Sequence, residues 1–278
     1  MLGMLDGSGY EKSGSGSAAS IHYVAEAMRR FFADRSEYLG DTDFYKAPMA
    51  GLLDPAYIAK RRASIDTKKA TPSRDIRPGG PPGAESSETT HFNVVDAQGN
   101  AVAMTYTIND GYGSGVMIPG AGFLMNDEMD DFASKPGSPN QFGLIQGEGN
   151  KTEPGKRPLS AMSPTILEKD GKFFMAVGAP GGPRIISAVL QVILNVVDFK
   201  MNAQEAVDAP RVHHQWMPDR LSVEHGISPD TVAILRGMGH EVDYSPGLVI
   251  ASVETIIRNG EWLEGGADGR RNAKASGY

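Results

Sequence analysis

The stretch from Thr90 to Ile108 constrains the fold more than any other part of the chain. Residues Phe92 to Asp96 and Ala101 to Ile108 alternate apolar with polar side chains, and Ala97-Gln98-Gly99-Asn100 between them has the composition of a turn. That pattern predicts two antiparallel strands joined as a hairpin. Before it, from Asp66 to Ser87, periodicity disappears; Pro72, Pro78, Pro81, Pro82 and the pair Gly79-Gly80, among mixed charges, predict a mobile linker. The linker ends at Glu88, so Thr89 stands where a loose tract runs into a strand. Taken alone, a threonine there is ordinary loop chemistry.

The rest of the chain supplies helices and a second hairpin. Ile21, Val24, Ala25, Met28, Phe31 and Phe32 recur at helical spacing behind Ser17, a residue suited to cap the helix, and Asp54-Pro55 opens another helix toward Arg62. Thr165 to Glu168 and Phe173 to Val177, around Asp170-Gly171, form the second hairpin. It leads through Gly181-Gly182 into an almost wholly apolar helix from Ile185 to Phe199. A helix that begins after two glycines presents backbone N–H groups at its positive end, where an anion or oxyanion can sit; a tight turn that needs glycine gives the same spacing. Asn202 to Glu205 is a capping box, Ser228-Pro229-Asp230 starts a helix running to about Arg236, and strands lie around Ile250 to Ile257 with an Asn259-Gly260 turn before Trp262. Hairpins grouped with helices indicate an α+β protein with antiparallel sheets covered by helices.

Composition removes several function classes. A chain of 278 residues with a formal charge of −7 has enough apolar content for a real core, in one large domain or two smaller ones. Its net charge repels nucleic acid and anionic membrane surfaces. The pairs Arg29-Arg30, Arg61-Arg62 and Arg270-Arg271 are scattered and read as solvated surface. The absence of cysteine excludes thiol catalysis and disulfides. The six histidines lack zinc-ligand spacing, so neither metal nor cofactor is expected. Residues 1 to 20 carry no export signal and no stretch is long enough to span a bilayer, so no membrane segment is expected.

Six motifs in order, Thr89-Thr90-His91-Phe92, Thr105 to Asn109, Asn126 to Asp131, Lys156 to Ser160, Pro180-Gly181-Gly182 and His213 to Trp216, make the whole chain resemble the γ-glutamyltransferase (γ-glutamyltranspeptidase, glutathione hydrolase) family of N-terminal-nucleophile hydrolases. The resemblance implies a precursor that cuts itself between Glu88 and Thr89, releasing a threonine that serves as nucleophile. It divides the chain into 1–88, the end of a large subunit, and 89–278, a complete small subunit. Both belong to one αββα sandwich that is incomplete on its N-terminal side. A free α-amine has a pKa of about 8, so near neutrality it can act as base for its own hydroxyl. Before the cut, that hydroxyl attacks the Glu88 carbonyl and water opens the resulting ester.

The family further implies roles for individual residues. Thr107 hydrogen-bonds the nucleophile. Asn109, Glu128 and Asp131 hold the substrate α-amino group, and the three-residue spacing of Glu128 and Asp131 can place both on one side of a helical turn. Ser160 meets the α-carboxylate, Gly181 and Gly182 supply oxyanion donors, and Phe142 occupies the position of an aromatic gate on a flap formed by the proline-rich loop that precedes it. His213 and His214 are expected to be structural. The implied partners are a γ-glutamyl substrate such as glutathione, an amino-acid or peptide acceptor, and the other subunit; family members are typically periplasmic or secreted.

Three departures stand out. Ala161 replaces the second serine of the usual pair, Pro183 follows the glycines where serine is common, and only 88 residues precede the cut where the family has several hundred. The arginine that clamps the substrate carboxylate in the family belongs to the missing part. Two alternatives therefore accompany the leading reading: a cephalosporin (glutaryl) acylase using the same machinery, and a fragment inactive without a separate large-subunit chain.

Overall fold

The computed structural model describes residues 1–76 and 89–277. Glu88, half of the expected cleavage site, and the glycine- and proline-rich part of the expected linker lie outside the described residues.

In chain order, a one-turn helix α1 (Leu2–Leu5) precedes α2 (Ala18–Tyr38), whose first turn is capped where Ser17 Oγ accepts from the Ser20 N–H at 3.2 Å. A second one-turn helix, α3 (Met49–Leu52), is followed by α4 (Pro55–Ala63), capped by Asp54, whose carboxylate accepts from the Ala56 and Tyr57 N–H groups. The first hairpin is β1 (Thr90–Val95) with β2 (Ala101–Tyr106), and the second is β3 (Thr165–Lys169) with β4 (Lys172–Gly178). Helices α5 (Arg184–Val197) and α6 (Ala203–Asp208) follow, the latter closed by the expected reciprocal bonds between Asn202 and Glu205. Short strands β5 (Val212–His213) and β6 (Leu221–Val223), helix α7 (Pro229–Gly237) and strand β7 (Val242–Asp243) lead to the last hairpin, β8 (Glu254–Asn259) with β9 (Trp262–Ala267).

These elements form two compact units, each built from three stretches of chain.

The first unit takes the described residues of 1–86 together with 128–160 and 212–248. Its core sets Ile21 and Ala25 of α2 against Val212, Leu221, Val223, Val232 and Leu235. Helix α2 departs from the one-faced amphipathic expectation: His22, Glu26, Arg29 and Arg30 are buried as well. They survive burial because each is bonded. Arg30 Nη1 donates to Glu26 Oε2 at 2.6 Å, and its other nitrogens donate to Ser64 Oγ, the Ser64 carbonyl and Thr71 Oγ1. The same bonds correct part of the linker expectation. Residues 66–76 are ordered although aperiodic: the Ala70 N–H donates to the Met238 carbonyl at 2.8 Å, and Trp216 Nε1 donates to the carbonyls of Ser73 and Ile76 at 3.0 and 3.1 Å. Polar partners distant in sequence, rather than a hydrophobic period, hold that segment.

The second unit takes 87–127, 161–211 and 249–278, as far as these are described. Strands β3-β4-β8-β9 form an antiparallel sheet. Its core sets Met175 and Val177 of β4 and Ile257 of β8 against Ile185, Val189, Val192 and Val196 of α5 and Ala206 and Val207 of α6. Burial of each such aliphatic side chain contributes about 1.5–3 kcal/mol. The hairpin β1-β2 lies across the other face of this sheet. His91 packs so closely on Gly178 that a Cβ there would fall 2.1 Å from its ring, and Asn93 Nδ2 donates to the Glu254 carbonyl at 2.9 Å. The unit is therefore layered helix, sheet, sheet.

The hairpin's inward side carries the polar or small residues His91, Asn93, Ala103 and Thr105. Its outward side carries Phe92, Val94, Val102, Met104 and Tyr106, each between 45% and 60% exposed. Strand β2 stops at Tyr106, two residues before the expected Ile108. The Thr107 hydroxyl takes the Asn109 N–H, and Asn109 turns to a φ of 76°, out of strand geometry.

Candidate active site

The pairing of Thr90 with Tyr106 places Thr89 and Thr107 opposite one another just past the end of the β1-β2 ladder. Thr89 Oγ1 donates to Thr107 Oγ1 at 3.3 Å, and Thr107 Oγ1 also accepts from the Asn109 N–H at 2.8 Å. The second bond fixes the Thr107 side chain, so the hydroxyl that meets Thr89 is pre-oriented. Asn109 is buried; its Nδ2 donates to the Asp127 carbonyl at 3.2 Å, and its Oδ1 accepts from no described residue. A carboxamide oxygen is the kind of acceptor an ammonium requires.

Strand β4 ends at Gly178, and the chain reaches α5 through Gly181 and Gly182, at φ of 143° and 55°. Both values favour glycine. At Gly181 a side chain is excluded by contact as well, since a Cβ would lie 2.7 Å from the Ala251 Cβ. The Gly181 and Gly182 carbonyls accept from the Arg184 and Ile185 N–H groups, while their own N–H groups donate to no described acceptor. This is the arrangement expected of an oxyanion site. A cavity of about 950 Å³ in the same unit is bordered by Thr89, by Pro180 immediately before the glycines, and by Glu254. Burial pushes the Glu254 carboxyl up to about 7, against the opposing bond from Ser252 Oγ, and its Oε2 has no hydrogen-bond partner among the described residues.

The remaining predicted residues belong to the first unit. Glu128 and Asp131 begin and end one 3-10 turn, as their spacing suggested. Ser160 is exposed at the end of the Lys156 to Ser160 motif. Phe142 does not stand out as a gate: its ring is 3% exposed and its carbonyl accepts from Gln215 Nε2 at 2.9 Å. The loop before it is anchored too, through buried Leu144 and Ile145 and the bridge between Pro139 and Ile145. His213 and His214, expected to be structural, are both buried. His213 Nε2 meets Gln215 Oε1 at 2.9 Å, and His214 Nδ1 accepts from the Trp216 N–H at 3.1 Å.

Several buried, bonded residues carried no sequence signal. Arg35 is buried with Nη2 directed at the carbonyls of Leu159 and Ser160, at 3.3 and 3.4 Å; burial lowers its pKa to about 10, countered by the charge of Asp131. Asn150, wholly buried, bonds both the Asp131 and the Leu159 main chain. In the second unit buried Arg211 is paired with Asp268 and donates to the carbonyls of Val207 and Ile250. Nothing in a linear pattern distinguishes these from surface polar residues; their partners lie far along the chain.

One further cluster resembles a metal site, with ligand atoms of His22, Glu26 and His240 within 4.8 Å of one another. Its bonds account for it otherwise. His22 Nε2 donates to the Asp66 carbonyl at 2.7 Å, so His22 Nδ1 accepts from His240 Nε2 at 2.8 Å, and His240 Nδ1 faces Arg29 Nη2 at 3.4 Å. A cation there would meet the guanidiniums of Arg29 and Arg30, both ion-paired to Glu26.

A hairpin laid across an antiparallel sheet, with helices on the far side and a double glycine beside the strand ends, is the α+β architecture of the N-terminal-nucleophile hydrolases. Within that class the chain belongs to the gamma-glutamyltranspeptidase family, whose model matches residues 1–278. It is 54% identical over 242 residues to a glutathione hydrolase proenzyme of Pseudomonas sp. (strain A14), covering 87% of this chain and 42% of that protein. To the glutathione hydrolase proenzyme of Escherichia coli (strain K12) it is 47% identical over 270 residues, covering 97% and 46%. A gamma-glutamyltranspeptidase mutant of Helicobacter pylori superposes with a TM-score of 0.63 at 50% identity, over 66% of this chain and all of that one. A cephalosporin acylase from Bacillus halodurans superposes with a TM-score of 0.81 at 25% identity, over all of this chain and 48% of that one. The chain thus spans about half the length of the curated relatives it matches.

Proposed function

We propose that this chain carries the nucleophile and part of the substrate pocket of a self-processing γ-glutamyl hydrolase and transferase. The observation that supports this reading best is the bond from Thr89 Oγ1 to a Thr107 hydroxyl that is itself held by the Asn109 N–H. In the first reaction, Thr89 Oγ1 attacks the Glu88 carbonyl carbon. The C–N bond breaks and the nitrogen takes the hydroxyl proton, which frees the Thr89 amine; water then hydrolyses the ester to give a Glu88 carboxylate and restore the Thr89 hydroxyl. In the second, that amine removes the Thr89 hydroxyl proton as the oxygen attacks the γ-carbonyl of glutathione or a similar amide. The Gly181 and Gly182 N–H groups receive the developing oxyanion, with about 3 kcal/mol of transition-state stabilisation for a donor of this kind. The proton passes to the departing amine, and water or an acceptor amine then takes the γ-glutamyl group from the ester. Asn109, Glu128 and Asp131 serve the substrate ammonium and Ser160 its carboxylate.

The outward face of β1-β2 supports the view that this machinery works as part of a larger assembly. Five half-exposed apolar residues on adjacent strands make a patch that needs a cover. The other half of the enzyme, in the same chain before cleavage or a separate one, is the occupant we assign to it. The test is a denaturing gel of the enzyme expressed with its large-subunit portion. Conversion to two fragments, with Thr89 at the new N-terminus, together with hydrolysis of γ-glutamyl-p-nitroanilide, is expected. A single uncut band and no turnover would overturn the reading.

A glutaryl acylase is the second reading, favoured by the superposition of this whole chain on 48% of the cephalosporin acylase and by Ala161 in place of serine. The retained acceptors Asn109, Glu128 and Asp131 favour a substrate with an α-amine. Rates on γ-glutamyl and glutaryl anilides separate the two.

A further inference from the structure

The 3-10 turn Glu128–Asp131 and the segment ending at Ser160 are far apart in sequence, yet one side chain joins their backbones. Asn150 is 0% exposed. Its Nδ2 donates to the Asp131 carbonyl at 2.7 Å, and its Oδ1 accepts from the Leu159 N–H at 2.9 Å. Gln146 Nε2 donates to the same Asp131 carbonyl at 3.0 Å, and the Asn150 amide also bonds Gln146 Oε1. The backbone of Asn150 is fixed as well, since its carbonyl accepts from the Ala133 N–H at 2.9 Å. From the other side Arg35 reaches the Leu159 and Ser160 carbonyls. All of these residues lie within the first unit.

If the turn meets an ammonium and Ser160 a carboxylate, the two must be held at one spacing, because both groups sit on a single α-carbon of the substrate. A carboxamide suits this task. It donates at one end and accepts at the other, it carries no charge to desolvate, and its planar geometry fixes the distance between the groups it joins. We propose that Asn150 is a positioning residue that sets the spacing of the ammonium-binding and carboxylate-binding segments, and so makes the pocket selective for an α-amino-acid head group. Arg35 supports it from the carboxylate side. The inference rests on the γ-glutamyl reading given above.

The test uses the full-length, self-cleaved enzyme. Wild-type turnover of γ-glutamyl-p-nitroanilide is measured first, and its absence would overturn the reading above and this inference with it. Given that turnover, Asn150→Ala is expected to raise KM at least tenfold while kcat stays within about threefold, since Thr89 and the double glycine belong to the other unit. Competitive inhibition by L-glutamate should weaken by the same factor, whereas inhibition by glutarate, which lacks the ammonium, should change less than threefold. Asn150→Asp is isosteric, keeps the acceptor for the Leu159 N–H and loses the donor to Asp131; it should reproduce the KM effect. A fall in kcat with unchanged KM, equal weakening of L-glutamate and glutarate, or failure of both variants to fold and self-cleave would overturn the proposal.

Discussion

Thr89 and Thr107, each one residue past the open end of a hairpin ladder, share a hydrogen bond of 3.3 Å, and Thr107 is held in place for it by the Asn109 N–H at 2.8 Å. The bond is made by strand register rather than by sequence proximity. Replacing Thr107 by valine keeps the shape and removes the hydroxyl. A hydrogen bond to a reacting group is worth about 1.5–3 kcal/mol, so self-cleavage should slow by about 10- to 100-fold. Thr107→Ser should retain most of the rate. A gel time course of the full-length precursor reads both, and equal rates for valine and threonine would remove Thr107 from the machinery.

Gly181 allows no side chain. A methyl group there would press on the Ala251 Cβ at 2.7 Å and Cα at 2.9 Å, at a φ of 143°. Gly181→Ala is expected to cost about 1–3 kcal/mol of stability through backbone strain. Displacing an oxyanion donor should cost about a hundredfold or more in turnover. Thermal unfolding and acyl-enzyme formation measure the two separately.

Acid should weaken the first unit. Burial lowers the pKa of His214 to about 4 and of His240 to about 3, each reinforced by the Arg29 charge; Asp219 opposes both shifts, and Glu26 that of His214. The folded values lie below the ordinary 6.5, so the unfolded chain binds protons first. Stability is full above about pH 6.5 and declines as pH falls toward 4, with a slope of up to about 1.4 kcal/mol per pH unit for each histidine. Urea midpoints between pH 7.5 and 4.5 should show the decline, and His240→Gln should make it shallower.

Glu254 predicts the opposite slope in the second unit. Its folded pKa, raised chiefly by burial to about 7, lies above the ordinary 4.5. Its contribution is complete below about pH 4.5 and is lost as pH rises through 7. Glu254→Gln should therefore unfold at a higher temperature than the wild type at pH 8, with the difference shrinking by pH 5. A variant less stable than the wild type at pH 8 would contradict this.

Much of the second unit was legible because its signals are local. Hairpin turns, the Asn202 capping box and the apolar run of α5 each depend on residues within a few positions, and these elements appear within two residues of where the pattern puts them. The 3-10 turn bearing Glu128 and Asp131 was legible for the same reason. The tract 66–76 was misread because its order comes from Trp216, Met238 and Asp219, partners more than a hundred residues away.

The sequence by itself determined the chemistry on offer: a threonine before a strand, an acidic pair three apart, two glycines before a helix, and no thiol. It also set the alternation that gives β1 and β2 two unlike faces. Tertiary structure decided which face turns inward, placing His91 and Asn93 against the four-stranded sheet and leaving Phe92, Val94 and Met104 outward. It decided as well that Asn150, Arg35 and Glu254 are buried and what each is bonded to. Periodicity reports only a residue's own element, whereas burial and hydrogen bonding depend on what the rest of the chain brings against it.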